Sequence, residues 1–238
     1  MITLITTYYN EPEHLHKFLS RNYNEDVISE VIIVDDGSQI HPATKVVKNF
    51  PHIPMKLFRI TEDLGFNSHG ARNLAMKHVD TEWALLTDID RKGYAQFSYI
   101  LERYIQSSKD KEYFNWLDPR SDRTFNEYCI RVEDFWISGG YDEETVNKHF
   151  GDRLFIDRLD SYLDFTTIMY NIGHTRFERN WSSSDTDITL YPDDETIIHP
   201  RWNGKDKRNL IDLIGFRNDH PDLWIRDNIL QFDWERII

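Results

Sequence analysis

Two aspartates one residue apart, Asp88 and Asp90, close the apolar run Trp83–Leu86 in the segment WALLTDIDRK. On an extended backbone, residues i and i+2 point to the same side. Both carboxylates would then meet at the tip of a buried strand, where like charges are costly unless a cation neutralises them. Turn chemistry accounts for the same two residues equally well, because aspartate is frequent where strands end. What lies around the segment has to decide between a metal site and a turn.

The elements that would position these carboxylates alternate along the chain. A β-rich run, Ile2–Thr7, precedes Asn10-Glu11-Pro12, where Asn10 reads as an N-cap and Pro12 as a first-turn residue. The following helix carries Leu15, Phe18 and Leu19. Val31–Val34 is a continuous apolar run of the kind buried on both faces of a sheet, and it ends in Asp35-Asp36-Gly37-Ser38. A weaker helix over Ala43–Phe50, a strand near Met55–Ile60, a loop over Leu64–Gly70 and a helix over Ala71–Val79 lead to the strand before Asp88. This β-α-β-α-β-α-β order with short connections predicts an α/β fold, a mostly parallel sheet with helices on both faces. Ligands of such sheets bind at the carboxyl ends of the strands. Three polar clusters, Asn10-Glu11, Asp35-Asp36 and Asp88-Asp90, fall at those ends, whereas incidental surface turns would fall at both edges.

Beyond Gly93 the pattern changes. Tyr94–Gln106 has helical periodicity, Lys109–Arg123 is charged and expected as loop, and Glu127–Val132 is expected as a strand. A helix is expected over Asp152–Leu163. Signals weaken after Asn171, with short helical patterns at Arg208–Ile214 and Leu223–Phe232. The expected organisation is one domain over residues 1–170, with a ligand-binding half (1–92) and a second half (93–170), followed by an extension at 171–238 that could pack on the same domain.

Composition narrows the classes. The chain has 238 residues, 39% hydrophobic and 14% aromatic, enough for a sizeable core. A formal net charge of −13 argues against a nucleic-acid partner or an anionic membrane surface. A lone cysteine, Cys129, excludes an internal disulfide, and MITLITTYY has neither a basic leader nor an apolar stretch of anchor length. The expectation is a cytoplasmic chain without a membrane span.

Five separated pieces carry a family likeness: TTYYNE (Thr6–Glu11), VIIVDDGS (Val31–Ser38), LGFNSHGARNLA (Leu64–Ala75), TDID (Thr87–Asp90) and FWISGGYDEE (Phe135–Glu144). In this order and spacing they resemble the family-2 glycosyltransferases of the GT-A fold. The resemblance implies a hexosyltransferase-type enzyme, an acceptor hydroxyl on a glycan or other molecule, and a nucleotide-sugar donor, most often a UDP-sugar, held with Mn²⁺ or Mg²⁺. On that reading Thr7, Tyr9 and Glu11 border the nucleoside, with the Tyr9 ring against the base. Asp36 accepts from a base N–H and Asp35 braces its loop. Asn67, Gly70 and Arg72 lie where a helix start and a guanidinium favour a diphosphate. Structural roles compete at each: core packing for Tyr9, turn chemistry for Asp35 and Asp36, pairing with a neighbour for Arg72.

Asp88 and Asp90 then become metal and donor ligands, because a hard divalent ion binds through one or two carboxylates plus substrate phosphates. The resemblance implies that Asp90 touches the metal more directly and that a histidine completes the set, His174 by spacing or His199 as the alternative. It places Gly139, Gly140, Asp142 and Glu143 at the substrate and the catalytic base at Asp152, with Asp142, Glu143 and Asp157 as rival carboxylates. Gly151 stands where the family commonly has an acid, which bears on acceptor contacts. A structural role for Asp152 is an N-cap, worth ~1 kcal/mol. Inversion at the anomeric carbon is expected, although a retaining mechanism fits the same residues. Two other readings stand beside this one: a sugar-nucleotide or glycan-binding module that has lost transfer, and a nucleotidyltransferase. Against the latter, TTYYNEPEHL is not a glycine- and arginine-rich triphosphate loop.

Overall fold

Alternation in the strands sorts the core into two layers. In the computed structural model, which describes residues 1–91, 93–116, 124, 126–143, 151–169 and 229–238, side chains i and i+2 of a strand share a face. Leu4, Val31, Ile33, Leu57 and Leu85 point to one layer, while Ile5, Ile32, Val34, Phe58, Ala84 and Leu86 point to the other. The strands are β1 (Ile2–Tyr8), β2 (Ile28–Asp35), β3 (Met55–Ile60), β4 (Trp83–Thr87), β5 (Glu112–Trp116), β6 (Tyr128–Arg131), β7 (Asp164–Ile168) and β8 (Trp234–Arg236). They form one sheet in the order β7-β5-β6-β4-β1-β2-β3-β8. The pairs β4-β1, β1-β2 and β2-β3 are parallel, as expected from the alternating order, and so is β5-β7. The pairs β4-β6, β5-β6 and β3-β8 are antiparallel.

Helices cover both faces. One layer takes α1 (Pro12–Asn22), α2 (Thr44–Val47) and α4 (Tyr94–Gln106); the other takes α3 (Ser68–Lys77), α5 (Val132–Ile137) and α6 (Gly151–Leu159). The apolar stripe of α1, Leu15, Phe18 and Leu19, is buried in the first layer, and that of α3, Ala71, Leu74 and Ala75, in the second. Among the described residues no helix is long and apolar enough to cross a membrane.

Three local expectations change. Glu11, not Asn10, is the N-cap of α1, and Pro12 starts the helix. Asn10 has φ +50 and uses its side-chain oxygen to accept from Ile40 N (3.1 Å) and His41 N (2.9 Å), so it pins a loop. The stretch Lys109–Arg123, expected as loop, contains β5. Its charged flank Lys109-Asp110-Lys111 hides a short strand whose Tyr113, Phe114 and Trp116 are buried. The strand expected to reach Val132 stops at Arg131, where the chain turns into α5.

The C-terminal residues return to the sheet. Asp233 O accepts from Thr61 N at 2.9 Å and Ile237 N donates to Leu57 O at 2.8 Å, making β8 the outer neighbour of β3. Trp234 packs on Phe58 and His78, and Phe232 is buried beside α3. The helical pattern at Arg208–Ile214 lies outside the described residues. That at Leu223–Phe232 lies mostly outside them, and its end at 229–232 is not helical.

Candidate functional site

The parallel registers Thr6↔Thr87 and Tyr8↔Asp35 end β4, β1 and β2 at one edge of the sheet. Tyr9, Asp36 and Asp88 therefore leave their strands side by side. Asp35 braces the turn after β2, accepting from Ser38 N (3.0 Å) and Ala43 N (2.8 Å). Gly37 has φ +77, and a Cβ there would come within 2.5 Å of Glu62 O, so only glycine lets the loop after β3 close over this turn. Tyr9 is half-buried and donates to Asp63 Oδ2 on that loop at 2.9 Å, while half-buried Thr7 ends β1. The Glu11 carboxylate lies 3.3 Å from His14 Nδ1.

Asp36 is buried, with Oδ2 accepting from Asn67 N at 2.8 Å. Burial, with help from the charges of Asp35 and Asp63, pushes its pKa up to about 8, and the nearby Asn67 amide opposes this. Neither Asp36 Oδ1 nor Asn67 Nδ2 completes a hydrogen bond among the described residues. These two buried polar groups lie beside each other at the strand ends, an arrangement suited to the polar edge of a nucleobase.

Asn67 caps α3, whose first turn is buried through Ser68, His69 and Gly70. Arg72 follows, only 3% exposed. Its Nη2 donates to Asp88 Oδ1 (2.7 Å) and Asn126 O (3.1 Å). Its Nη1 donates to Asp152 Oδ1 and to Tyr141 Oη (3.1 Å). Both terminal nitrogens of the guanidinium thus meet carboxylates of the protein. The next residue, Asn73, grips the main chain of Tyr141 twice, donating to its O at 2.9 Å and accepting from its N at 2.8 Å.

Asp88 accepts from Asn126 as well as Arg72. Burial raises its pKa, with the Asp90 charge adding to this against the pull of Arg72 and Arg91. Asp90 is buried, and Arg91 after it is paired with buried Glu127, which also accepts from Tyr94 Oη (2.7 Å) and Trp116 Nε1 (3.0 Å). Asn22 Nδ2 donates to Arg91 O at 2.8 Å, so the main chain beside the acidic pair is anchored to α1. Among the described residues no three His, Cys, Asp or Glu side chains gather around a metal position. The pair Asp88 and Asp90 still suits a hard cation. Both supply oxygen, their like charges repel, and an ion bound there would complete its shell with phosphate oxygens. His174 and His199 lie outside the described residues.

On the other side of Arg72, Asp152 opens α6. Burial alone would raise its pKa, but Arg72 foremost, with His69 and Tyr141, outweighs burial and holds the carboxyl down to about 2. His69 Nε2 lies 3.9 Å from Asp152 Oδ1, and the ring stacks on Tyr141 at 5.3 Å. The rival Asp157 is tied to Arg153 on the exposed face of α6 at 2.7 Å. Gly139 and Gly140 form a left-handed turn after α5, φ +87 and +71, and a Cβ on Gly140 would meet Asn73 Oδ1 at 2.8 Å. Asp142 is buried next to Tyr141. Glu143 accepts from Asn73 Nδ2 (3.0 Å) and from Leu230 N (2.9 and 3.0 Å).

A family model, glycosyl transferase family 2, matches residues 3–151, which is more than half of the 238-residue chain. The chain belongs to that family. No curated protein matches it. Among solved structures it resembles the mannosyltransferase PcManGT from Pyrobaculum calidifontis in complex with GDP-Man and Mn²⁺, with TM-score 0.57 and 17% identity over 71% of this chain and 54% of that one. It also resembles S. aureus TarS 1–349 in complex with UDP-GlcNAc, with TM-score 0.62 and 14% identity over 78% of this chain and 60% of that one. The chain thus covers under two thirds of the length of either, and the likeness is one of fold, the mostly parallel Rossmann-like sheet of the GT-A glycosyltransferases.

Within this candidate site, the sequence pattern missed His69, Tyr141, Asn126, Arg91 and Glu127. Tyr141 and Arg91 sit inside or beside the quoted segments, GGYDEE and TDIDRK, and His69 lies in SHGARN. Asn126 and Glu127 carry no local signal; only the register of β4 with β6 brings them near Asp88.

Proposed function

We propose that the protein is a nucleotide-sugar-dependent glycosyltransferase that inverts the anomeric carbon, with the donor along the edge formed by Tyr9, Asp36, Asn67 and Asp88. The observation that carries this is the meeting of Asp88 and Asp152 on a single guanidinium. A donor-side carboxylate at a strand end and a second carboxylate on a different helix are held within one side chain's span. Displacement of a sugar from a diphosphate by a hydroxyl losing its proton calls for a diphosphate-side group and a proton acceptor held in one site. Asp36 Oδ1 and Asn67 Nδ2 supply hydrogen-bonding capacity for a base, and Tyr9 a ring beside it.

Asp152 is the proposed base. With its pKa near 2 it is ionised at any working pH, and as a weak base it would accept the proton late, once the attacking oxygen has become acidic by bonding to the sugar. Asp88 and Asp90 are the residues that would hold Mn²⁺ or Mg²⁺, and such an ion supplies charge neutralisation for the departing diphosphate. Gly139, Gly140 and Asp142 shape the wall next to Asp152, whereas Glu143 fastens that wall to Leu230. The neighbours' GDP-Man and UDP-GlcNAc leave the base open between uracil and guanine, with a UDP-sugar as our reading.

The deciding experiment is a panel of UDP- and GDP-sugars with Mn²⁺, assayed for release of nucleoside diphosphate with and without hydroxyl acceptors. Release from one donor class is expected. Tight donor binding without release would favour a binding module, and neither binding nor release from any donor would overturn the reading.

A further inference from the structure

A buried cation must be matched by anions or acceptors nearby. Arg72 is matched fully: Asp152 and Tyr141 Oη at one nitrogen, Asp88 and Asn126 O at the other. A phosphate reaching this guanidinium would have to displace Asp88 or Asp152 from a buried, hydrogen-bonded pair. The surroundings are also fixed. Tyr141 is held by Asn73 on both sides of its main chain, its hydroxyl lies 2.8 Å from Tyr128 Oη, and His69 stacks on its ring. The guanidinium lies 5.4 Å from the same ring. Arg72 therefore stands on a rigid frame with one arm towards each half of the site.

We infer that Arg72 is the positioning residue of the transfer step, setting Asp152 at a fixed place relative to Asp88, and not a ligand of the donor's phosphates. The inference rests on the glycosyltransferase reading. A planar fork with donors on two nitrogens can span two carboxylates; a lysine ammonium is a point charge that can serve one well. Loss of the fork should thus misplace the base while leaving nucleotide contacts along the strand ends in place.

The test compares Arg72→Lys and Arg72→Gln with wild type in two measurements. Calorimetry with UDP and GDP in the presence of Mn²⁺ reads nucleotide affinity. Donor hydrolysis, with water in place of the acceptor, reads kcat and KM. Positioning predicts affinity within about threefold of wild type and a kcat lower by roughly a hundredfold, since small misplacements of a catalytic group cost that much. On an Asp152→Asn background, Arg72→Gln should add little further loss, because the two act as a unit. A nucleotide affinity reduced about tenfold or more with kcat retained, or losses that multiply in the double variant, would overturn the inference. Should Arg72→Gln fail to fold, Arg72→Lys keeps the charge without the fork and carries the same comparison. Wild-type protein that neither binds nucleotide nor hydrolyses any donor removes the glycosyltransferase reading and this inference with it. Wild-type activity with lost nucleotide affinity in Arg72→Lys removes only the inference.

Discussion

The two sides of the site are held by different kinds of contact. On the proposed nucleotide side, Asp35 and Asp36 are braced by main-chain N–H groups, Asp35 by Ser38 and Ala43 and Asp36 by Asn67, at the end of a strand fixed by its parallel neighbours. On the Asp152 side, fixation comes from side chains far away along the chain. Arg72 reaches Asp152, Asn73 reaches Tyr141, and Glu143 reaches Leu230. Helix α3 carries the first two of these, so a nucleotide-side helix sets the geometry of the opposite wall. On the proposed function, this difference predicts that donor binding persists when the second side is damaged, and that the reverse does not hold.

The largest expected effect is on that second side. Asp152→Asn should lower transfer by about 10²–10⁴-fold, the usual range for a general base, while UDP or GDP affinity by calorimetry stays nearly unchanged. Near-wild-type turnover would remove Asp152 from the chemistry. Next, Phe232→Ala removes a buried ring that packs against Gly70 and α3 and should cost about 3 kcal/mol in urea unfolding. A loss confined to a few tenths would mean the C-terminal residues contribute little to the fold.

On the nucleotide side, Asp90→Ala should remove the dependence of nucleotide affinity on Mn²⁺, weakening binding about 10–100-fold, a range known for perturbed metal sites. Equal wild-type affinity with and without Mn²⁺ would contradict the pairing of Asp88 and Asp90 with a cation. The smallest effect is a pH dependence. Asp36 has its pKa raised from 3.8 to about 8 by burial. Its contribution to stability is complete below the ordinary aspartate range and is lost as pH rises through about 8. Asp36→Asn should flatten the decline in urea stability across this window, and an unaltered slope would mean that another group causes it. Asp152 has the opposite sign: held down to about 2, it contributes stability above the ordinary range that is lost on acidification.

Legibility in the sequence follows the same divide. The strands β1, β2 and β4 are apolar or β-branched runs that end near Asn10, Asp35 and Asp88, so both their existence and their polar edge could be read from residue order. Strand β5 could not, because its aromatics sit beside Lys109-Asp110-Lys111 and its neighbour β6 arrives later in the chain. The role of Arg72 was hidden for a related reason. An arginine in SHGARN suggests an anion, but nothing local says that the anions are Asp88 and Asp152. Three-residue β8 is too short to display a period, and it is a strand only because β3 offers it an edge.

The two outer strands carry a consequence for where this protein can be cut. The family match ends at residue 151, but β7 and β8, which flank the sheet at its two ends, both lie beyond it. The unit recognised by homology is therefore smaller than the unit that closes the sheet. A fragment trimmed to the match would present the unpaired main chain of β5 on one flank and β3 on the other, two templates for strand addition. Such a fragment is expected to self-associate, so fusions and truncations should respect the sheet's flanks rather than the limits of the family match.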